Sequence, residues 1–229
     1  MSVADYTAIA AALAGAGLTP RGGFHPLAED GVPALPGGRP TATLVLAGNA
    51  GPAMWRTFSE QRRAADEPNP LDRWTRRVLT PLAEAFGGHA LFPFGGPPHL
   101  PFQRWAQRAE PVHPSPIGPL IHPDYGLWHA YRGALAFAEH FELPPADQRP
   151  SPCETCADKP CLSTCPVGAL TPEGYDVAAC AAHIAVSAGA DCMAQSCRAR
   201  RACPMGREYT YGAEQSRFHM AAFLRARGS

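Results

Sequence analysis

Cys153-x2-Cys156-x4-Cys161-x3-Cys165-Pro166, then Cys180, then Cys192-x4-Cys197-x5-Cys203-Pro204: this stretch decides how the chain is read. All eight cysteines lie inside it, in the last third of the sequence. Thiols distributed so unevenly point to soft-metal ligation. An iron–sulfur cluster takes four thiolates, and in two-cluster proteins the fourth cysteine of a C-x2-C-x2-C-x3-C-P run ligates the other cluster. Eight cysteines supply two [4Fe–4S] clusters with none left over, and the prolines after Cys165 and Cys203 mark the crossing ligands. On that logic Cys153, Cys156, Cys161 and Cys203 hold one cluster, and Cys165, Cys180, Cys192 and Cys197 hold the second. The spacings are looser than the standard run, with two extra residues before Cys161 and longer gaps around Cys197.

Other thiol chemistries compete with this reading. Zinc accepts four thiolates, but zinc ribbons do not usually carry Cys-Pro ends or an interleaved order. Disulfides belong to oxidising compartments and mostly to small secreted domains. No charged, apolar and small-residue targeting pattern opens the sequence. The expectation is a cytoplasmic protein with reduced thiols.

Outward from the cysteines, 229 residues allow one large or two small domains. An apolar share of 45% is enough for a real core. The net charge is zero, so no basic surplus for nucleic acid exists over the whole chain. Lys159 is the only lysine, which reads as genome composition. The 26 prolines and 22 glycines exceed a fifth of the chain and imply many turns around modest elements. No apolar run reaches the length of a membrane span.

The N-terminal part alternates short elements. Asp5 to Gly17 reads as an alanine-rich amphipathic helix ended by glycine, and Arg21 to Pro40 as a Gly/Pro-rich loop. The apolar run Thr41 to Gly48 predicts a strand buried on both faces. Gly48-Asn49-Ala50-Gly51-Pro52 then turns into a helix from about Ala53 to Arg63. Such a turn can hold an anion at the helix N-terminus, although an ordinary strand-to-helix turn is the preferred reading. After a polar break at Asp66 to Pro70, a helix is expected over Leu71 to Phe86. A strand at Ala90 to Phe94 and a short helix at Pro101 to Ala109 follow.

Ile117 to Leu135 is the second informative stretch. It sets Pro119, His122, Asp124, Tyr125, Trp128, His129, Tyr131 and Arg132 in quick succession. Glycine-punctuated aromatics and histidines suit a wall around a large flat ligand. The competing reading makes the aromatics core and leaves the histidines partly exposed. Leu127 to Phe137 reads either as a bulged strand or as a short helix. The proline-rich segment His140 to Pro152 marks a boundary between a first domain over 1–145 and a cluster module over 146–229. Within that module Asp176 to Ala188 is a helix presenting Cys180 inward. Arg198, Arg200 and Arg201 lie between two ligands, where cations would offset cluster charge and raise the potential; a solvated face is the equal alternative. A C-terminal helix over Glu214 to Arg227 is expected to pack back on the first domain.

Two resemblances meet on this chain. The C-terminal half resembles the epoxyqueuosine reductase family, cobalamin-dependent enzymes with two [4Fe–4S] clusters. The residues that carry it are Ile121-x-x-x-Tyr125-Gly126-x-Trp128, Leu143-Pro144-Pro145, the run ending Cys165-Pro166, isolated Cys180, and the last three cysteines ending Cys203-Pro204. The family's cluster-ligand order matches the assignment from spacing. The N-terminal half is similar to the mammalian cobalamin-processing family of decyanases and dealkylases. Its matching residues are Phe24-His25-Pro26, Thr43-Leu44-Val45-Leu46, Pro52-Ala53-Met54, Asn69-Pro70-Leu71-Asp72 and Ile121-His122-Pro123-Asp124-Tyr125-Gly126-x-Trp128-x-Ala130-x-Arg132-Gly133.

The resemblances imply an α/β (α+β) protein. A modified flavin-nitroreductase-like cobalamin-binding domain is followed by a ferredoxin-like two-cluster module. They imply cobalamin as a cofactor or substrate beside the clusters, with His99, His122, Tyr125, Trp128, His129 and Arg132 contacting it and no protein ligand on cobalt. A ferredoxin or flavodoxin would donate electrons. The chain departs from the reductases in lacking a Gly-Arg-Asp-Tyr-His-like segment and a C-terminal repeat extension; Asp72 stands in the corresponding region in another context. Of the arginines that hold glutathione in the mammalian family, only Arg132 falls on a matching motif. Three functions remain open: a cobalamin-binding iron–sulfur oxidoreductase, a two-cluster electron carrier without corrinoid, and a protein whose clusters serve structure or sensing.

Overall fold

The computed structural model describes residues 5–62, 68–171 and 174–227. It is a mixed α/β chain with antiparallel sheets. The chain divides into two compact units. The first comprises 1–111 and 130–148, and the second 112–129 and 149–229. The aromatic and histidine stretch up to His129 therefore belongs with the cysteines rather than with the N-terminal part.

The first unit opens with α1 (Tyr6–Gly15), whose N-cap Asp5 accepts a hydrogen bond from the Ala8 N–H at 2.8 Å. Next come β1 (Thr19–Phe24), β2 (Thr43–Ala50), α2 (Ala53–Gln61), α3 (Pro70–Ala85) and β3 (His89–Leu91). Helix α4 (Phe102–Ala109) follows, and after the excursion into the second unit the chain returns along a long strand at His129–Phe137. The strands form one sheet in the order β1, β2, the long strand, β3. Every residue of β2 is buried, as expected of a central strand covered on both faces. Of Leu127 to Phe137, His129 to Phe137 resolves as strand, with Gly133 to Phe137 buried.

One expectation for this unit fails. Arg21 to Pro40 is not all loop, because β1 occupies its start. Pro20 and two glycines disguise the strand. It tolerates them because it lies at the sheet edge and shifts register between Pro20 and Gly23. The polar break at 66–70 lies partly outside the described residues.

Helix α3 shows why these residues pack as they do. Pro70 occupies the first turn, where its missing N–H costs nothing. Leu71, Trp74, Thr75, Leu79 and Ala83 recur at three- and four-residue spacing and are the buried face. Phe58 of α2 meets Trp74 edge-on at 5.9 Å, and the indole N–H donates to Gln61 Oε1 at 2.8 Å. Trp105 is fully buried and likewise donates to the Asp30 carbonyl at 2.8 Å. Each large aromatic thus contributes apolar area while its one polar atom is satisfied.

A charge lies at the centre of this unit. Arg21 on β1 is completely buried and forms an ion pair with Glu110 at 2.6 Å. Its remaining N–H groups donate to the Asn49 carbonyl at 3.1 Å and the Tyr131 hydroxyl at 3.3 Å. Tyr131 donates in turn to Glu110 at 2.8 Å. The network ties the strand-to-helix turn at Asn49 to two other elements, which supports the ordinary-turn reading of that segment.

The second unit holds a two-stranded ribbon of β4 (His113–Pro114) and β5 (Leu120–Ile121), and the long strand becomes β6 in chain order. It continues with α5 (Pro160–Ser163), a hairpin of β7 (Leu170–Thr171) and β8 (Gly174–Tyr175), α6 (Val177–Ile184), α7 (Ala190–Gln195), α8 (Arg198–Ala202) and α9 (Ala213–Arg225). The elements are too short to be stable alone, so packing must hold them. Ile117, Ile121, Leu127, Leu170, Ala199 and Cys203 form a buried cluster, with Cys153, Cys161, Cys165, Cys197 and Met205 against it. The C-terminal helix belongs to this unit and packs on α7. Among the described residues no single helix is long and apolar enough to cross a membrane.

Candidate metal centre

The eight cysteines are all free thiols, and all lie in the second unit. Short helices and tight turns deliver them. Cys161 sits in α5, Cys180 in α6, Cys192 in α7, and Cys197 and Cys203 bracket α8. Helix α8 is only five residues long, so it joins the last two ligand positions almost rigidly.

The thiols that act on one another fall into two sets. Burial pushes the Cys153 thiol up; the Ser151 hydroxyl opposes this, and the neighbouring Cys203 and Cys156 add to it. Burial raises Cys161 as well, with Cys203, Cys153 and Cys156 adding to the effect. Cys203 is raised by burial against the Met205 N–H, with Cys156 beside it. Cys197 is raised by burial, opposed by the N–H groups of Arg200 and Ala199, and its neighbours are Cys192 and Cys180. Tyr175 is pushed far up by burial, then by its hydrogen bond to Cys180, with Cys197 and Cys165 also facing it. Cys153, Cys156, Cys161 and Cys203 thus make one neighbourhood, and Cys180, Cys192 and Cys197 another; Cys165 is linked to the latter only through Tyr175.

Raised in this way, the groups stay neutral thiols when nothing is bound. Metal binding takes the thiolate and releases the proton. Among the described residues no three His, Cys, Asp or Glu side chains converge on a common point as a single metal ion requires. A four-iron cluster makes a different demand. Each thiolate meets its own iron, so the sulfurs stand further apart than the roughly 3.8 Å around one zinc ion.

The surroundings suit such a group. The Ala169 N–H donates to Cys165 Sγ at 3.3 Å. Gln215 on α9 is fully buried, and neither its Nε2 nor its Oε1 has a hydrogen-bond partner. Buried amides are normally satisfied, and this one is an exception among the described residues.

The arginines predicted to offset cluster charge have protein partners. Arg198 and Arg201 both pair with Asp191, the former at 2.7 Å. They hold that carboxyl below its usual range, Arg198 foremost, against a smaller opposing effect of burial. Arg200 donates through Nε to the Leu127 carbonyl at 3.0 Å and lies between the rings of Trp128 and Tyr211, 4.4 and 4.6 Å from their centroids. Asp191 was missed by sequence reasoning, although an acid beside Cys192 and ahead of three arginines was a usable signal. Tyr175 was missed too, and its sequence context offers none.

The residues predicted to wall a corrinoid divide between the units. His122, Tyr125, Trp128 and His129 belong to the second unit, and His99 and Arg132 to the first. Trp128 is 1% exposed, and His122 and His129 are buried as well, so the expectation of partly exposed histidines is corrected. The reason is local. His122 Nδ1 accepts from the N–H groups of Asp124 and Tyr125 at 3.0 and 3.3 Å, closing a tight turn. His129 Nε2–H donates to the Leu120 carbonyl at 3.0 Å. These three side chains are packing and turn-forming groups. Tyr125 stacks on His122 at 4.3 Å and stays half-buried. In the first unit Arg132 pairs with Asp72 and donates to Thr75 Oγ1 at 3.2 Å, and His99 is exposed.

One backbone contact fixes the segment after the last cysteine. Gly126 has φ +56° and Gly206 φ +66°. A Cβ on Gly126 would stand 2.2 Å from the Met205 carbonyl oxygen, and one on Gly206 2.3 Å from the Tyr125 carbonyl. Both positions need glycine for conformation and for space. The turn built by His122 therefore presses directly on the segment after Cys203. No protein-family model matches the chain, and no curated protein matches it.

Proposed function

We propose that this chain is an iron–sulfur redox protein with two [4Fe–4S] clusters that passes single electrons to a bound cobalamin, either processing it or using it as cofactor. Cys153, Cys156, Cys161 and Cys203 hold one cluster, and Cys165, Cys180, Cys192 and Cys197 hold the other. The observation that supports the cluster reading is the grouping of Cys153, Cys156, Cys161 and Cys203 in one neighbourhood and of Cys180, Cys192 and Cys197 in another. On this reading the second unit is a ferredoxin-like module and the first a modified nitroreductase-like domain, and the electron donor is a ferredoxin or flavodoxin. When bound, the clusters supply one-electron chemistry and cobalamin supplies its own cobalt chemistry. The chain's residues present the thiolates, direct N–H and O–H donors at the sulfurs, and bury one flank of the site in apolar side chains.

A second reading keeps the clusters and removes the corrinoid, leaving a two-cluster electron carrier. The burial of His122, Trp128 and His129 favours it, because the residues named for the corrinoid wall are largely committed to protein.

Anaerobic reconstitution with iron and sulfide, followed by iron analysis, tests the cluster assignment. Eight irons per chain are expected for two four-iron clusters, and Cys203→Ala or Cys153→Ala should remove about half of them. Full iron retention in either variant breaks the assignment. Titration of the reduced protein with hydroxocobalamin and cyanocobalamin, followed by visible absorption, decides between the readings. A saturable one-to-one change supports cobalamin; its absence leaves the carrier.

A further inference from the structure

Helix α9 has an apolar surface that its own unit covers only in part. Gln215 and Ser216 near its start are fully buried, and the helix packs on α7, which carries Cys192. Beyond them residues 218–224 read Phe-His-Met-Ala-Ala-Phe-Leu and present apolar groups around the whole helix, yet each is only half-buried. A helix apolar all round is normally enclosed. The Phe223 ring lies nearly parallel to that of Tyr175, with centroids 6.5 Å apart, and Tyr175 is 42% exposed. The Arg227 guanidinium lies over Phe223, 5.5 Å from its centroid.

This patch adjoins the second thiol set. Tyr175 stands on β8 opposite Leu170 of β7. At the foot of that hairpin the Ala169 N–H donates to Cys165 Sγ at 3.3 Å, and the Ala169 carbonyl accepts from the Asp176 N–H at 2.8 Å. The Asp176 carbonyl accepts in turn from the Cys180 N–H at 3.2 Å. Hydrogen bonds therefore tie the hairpin to Cys165 and Cys180, while α9 itself lies on the helix of Cys192.

Charge decides what the patch fits. From Gln215 to Arg227 the sequence holds Arg217, Arg225 and Arg227 and no acid, although the whole chain is neutral. All three arginines are exposed. Arg225 suits the C-terminal end of the helix dipole, but Arg217, in the first half of the helix, gains nothing from it. Among the described residues the flanking acids, Asp176 and Glu214, serve as a helix N-cap and in a first helical turn. Aromatic residues, methionine and arginine are the types enriched in protein interfaces. A second copy meeting this patch by two-fold symmetry would set the arginines against themselves. A membrane surface takes a helix lying free in its plane, whereas α9 is packed on α7.

We propose that this patch docks an acidic one-electron carrier protein of the flavodoxin kind, which delivers its electron to the second cluster. In that step the reduced carrier loses one electron and the cluster gains it; no bond forms or breaks. The arginines steer the acidic partner, and Tyr175, Met220, Phe223 and Leu224 supply a small apolar contact of the size that transient electron-transfer complexes use. This inference rests on the two-cluster reading above.

The reconstituted full-length chain is mixed anaerobically with a small acidic flavodoxin in its reduced form, and cluster reduction is followed by stopped-flow absorption. Binding of the same flavodoxin, oxidised and fluorescently labelled, is measured by anisotropy. Arg217→Glu combined with Arg227→Glu reverses two exposed charges. At low ionic strength it should slow the second-order reduction about tenfold and weaken binding in step, and the gap should close as salt rises. Iron content should match the parent's. Equal rates and equal binding in parent and variant overturn this inference, as do parent rates indifferent to salt. Loss of iron in the variant overturns it too, making the arginines structural. Binding to phosphatidylglycerol vesicles, or self-association in sedimentation, that the variant abolishes while flavodoxin does not bind gives the patch to another occupant. A parent chain that holds its iron and is reduced by dithionite but not by flavodoxin sinks this inference and leaves the cluster reading intact. A parent that takes up no cluster iron defeats both.

Discussion

Replacing Gly126 by alanine asks whether the turn at residues 122–126 holds the last cysteine in place. Gly126 occupies the left-handed region with φ +56°, where an L-residue costs roughly 1–2 kcal/mol. The added Cβ meets the Met205 carbonyl oxygen at 2.2 Å and its carbon at 2.6 Å. Both are backbone atoms, so no rotamer change relieves the overlap. Gly126 is also pinned from its own side, exchanging two 2.9 Å hydrogen bonds with His122. Something must shift, and overpacking of this kind costs about 1–3 kcal/mol. Together the substitution should destabilise the second unit by about 2–5 kcal/mol, a large share of the roughly 5–15 kcal/mol available to a domain. The segment that shifts begins two residues after Cys203, and the Met205 N–H is a donor to the Cys203 sulfur. Cluster retention should therefore suffer along with stability. Urea unfolding of the apo chain measures the first effect, and iron content after reconstitution the second, which should fall toward half. Gly206→Ala, with φ +66° and a Cβ 2.3 Å from the Tyr125 carbonyl, should behave alike. A Gly126→Ala chain that unfolds within about 0.5 kcal/mol of the parent and keeps all its iron would refute the reasoning.

Two further expectations concern charge. Arg21→Ala leaves Glu110 without the partner that neutralises it, and breaking a buried pair in this way costs about 3–5 kcal/mol, read from denaturant unfolding; the double variant Arg21→Met, Glu110→Leu should recover most of the loss. Asp191 has its folded-state pKa lowered, first by the hydrogen bond from Arg198 and also by Arg201. Its contribution is therefore present above the unfolded carboxylate value, about 3.9, and is lost as the pH falls through the folded value. Unfolding of parent and Asp191→Asn chains across pH 7 to pH 2 should show a stability gap at neutral pH that closes in acid, and a gap independent of pH would contradict it.

Much of the first unit was legible because its elements advertise themselves by period. The apolar run at Thr43 predicted a strand covered on both faces, and all eight residues of β2 are buried. The helices were placed within a few residues by their caps and their glycine or proline ends. The strand β1 was hidden for a physical reason. An edge strand with a register shift bonds on one side only, so proline and glycine survive in it and imitate loop composition. The second unit is different in kind. Its elements are two to thirteen residues long, and periodicity has little to act on. Cysteine spacing supplied what periodicity could not: it groups Cys153, Cys156, Cys161 and Cys203, which neighbour one another, and it groups Cys165 with Cys180, Cys192 and Cys197, of which the last three do. Spacing carries no information about Tyr175, whose place near the thiols depends on the hairpin and not on a motif.

The arginines show how a correct residue can carry the wrong role. Their place between Cys197 and Cys203 suggested cations offered to a cluster, whereas each is bound to the protein. The two roles are not exclusive, because an ion-paired or ring-stacked arginine keeps its charge. What the partners add is position. Asp191 ties Arg198 and Arg201 of α8 back to α7, the helix that carries Cys192. Arg200 ties the same helix to the Leu127 carbonyl and to the rings of Trp128 and Tyr211. Helix α8 has Cys197 of one set at its start and Cys203 of the other at its end, so anything that fixes it fixes both at once. The same logic accounts for Trp128. A tryptophan in a histidine-rich, glycine-punctuated stretch looks like a binding surface, but here its ring is the platform on which Arg200 lies. The segment 112–129 is thus as much a part of the cysteine site as the cysteines are, since it supplies the carbonyl, the ring and the glycine turn against which α8 and Cys203 are held.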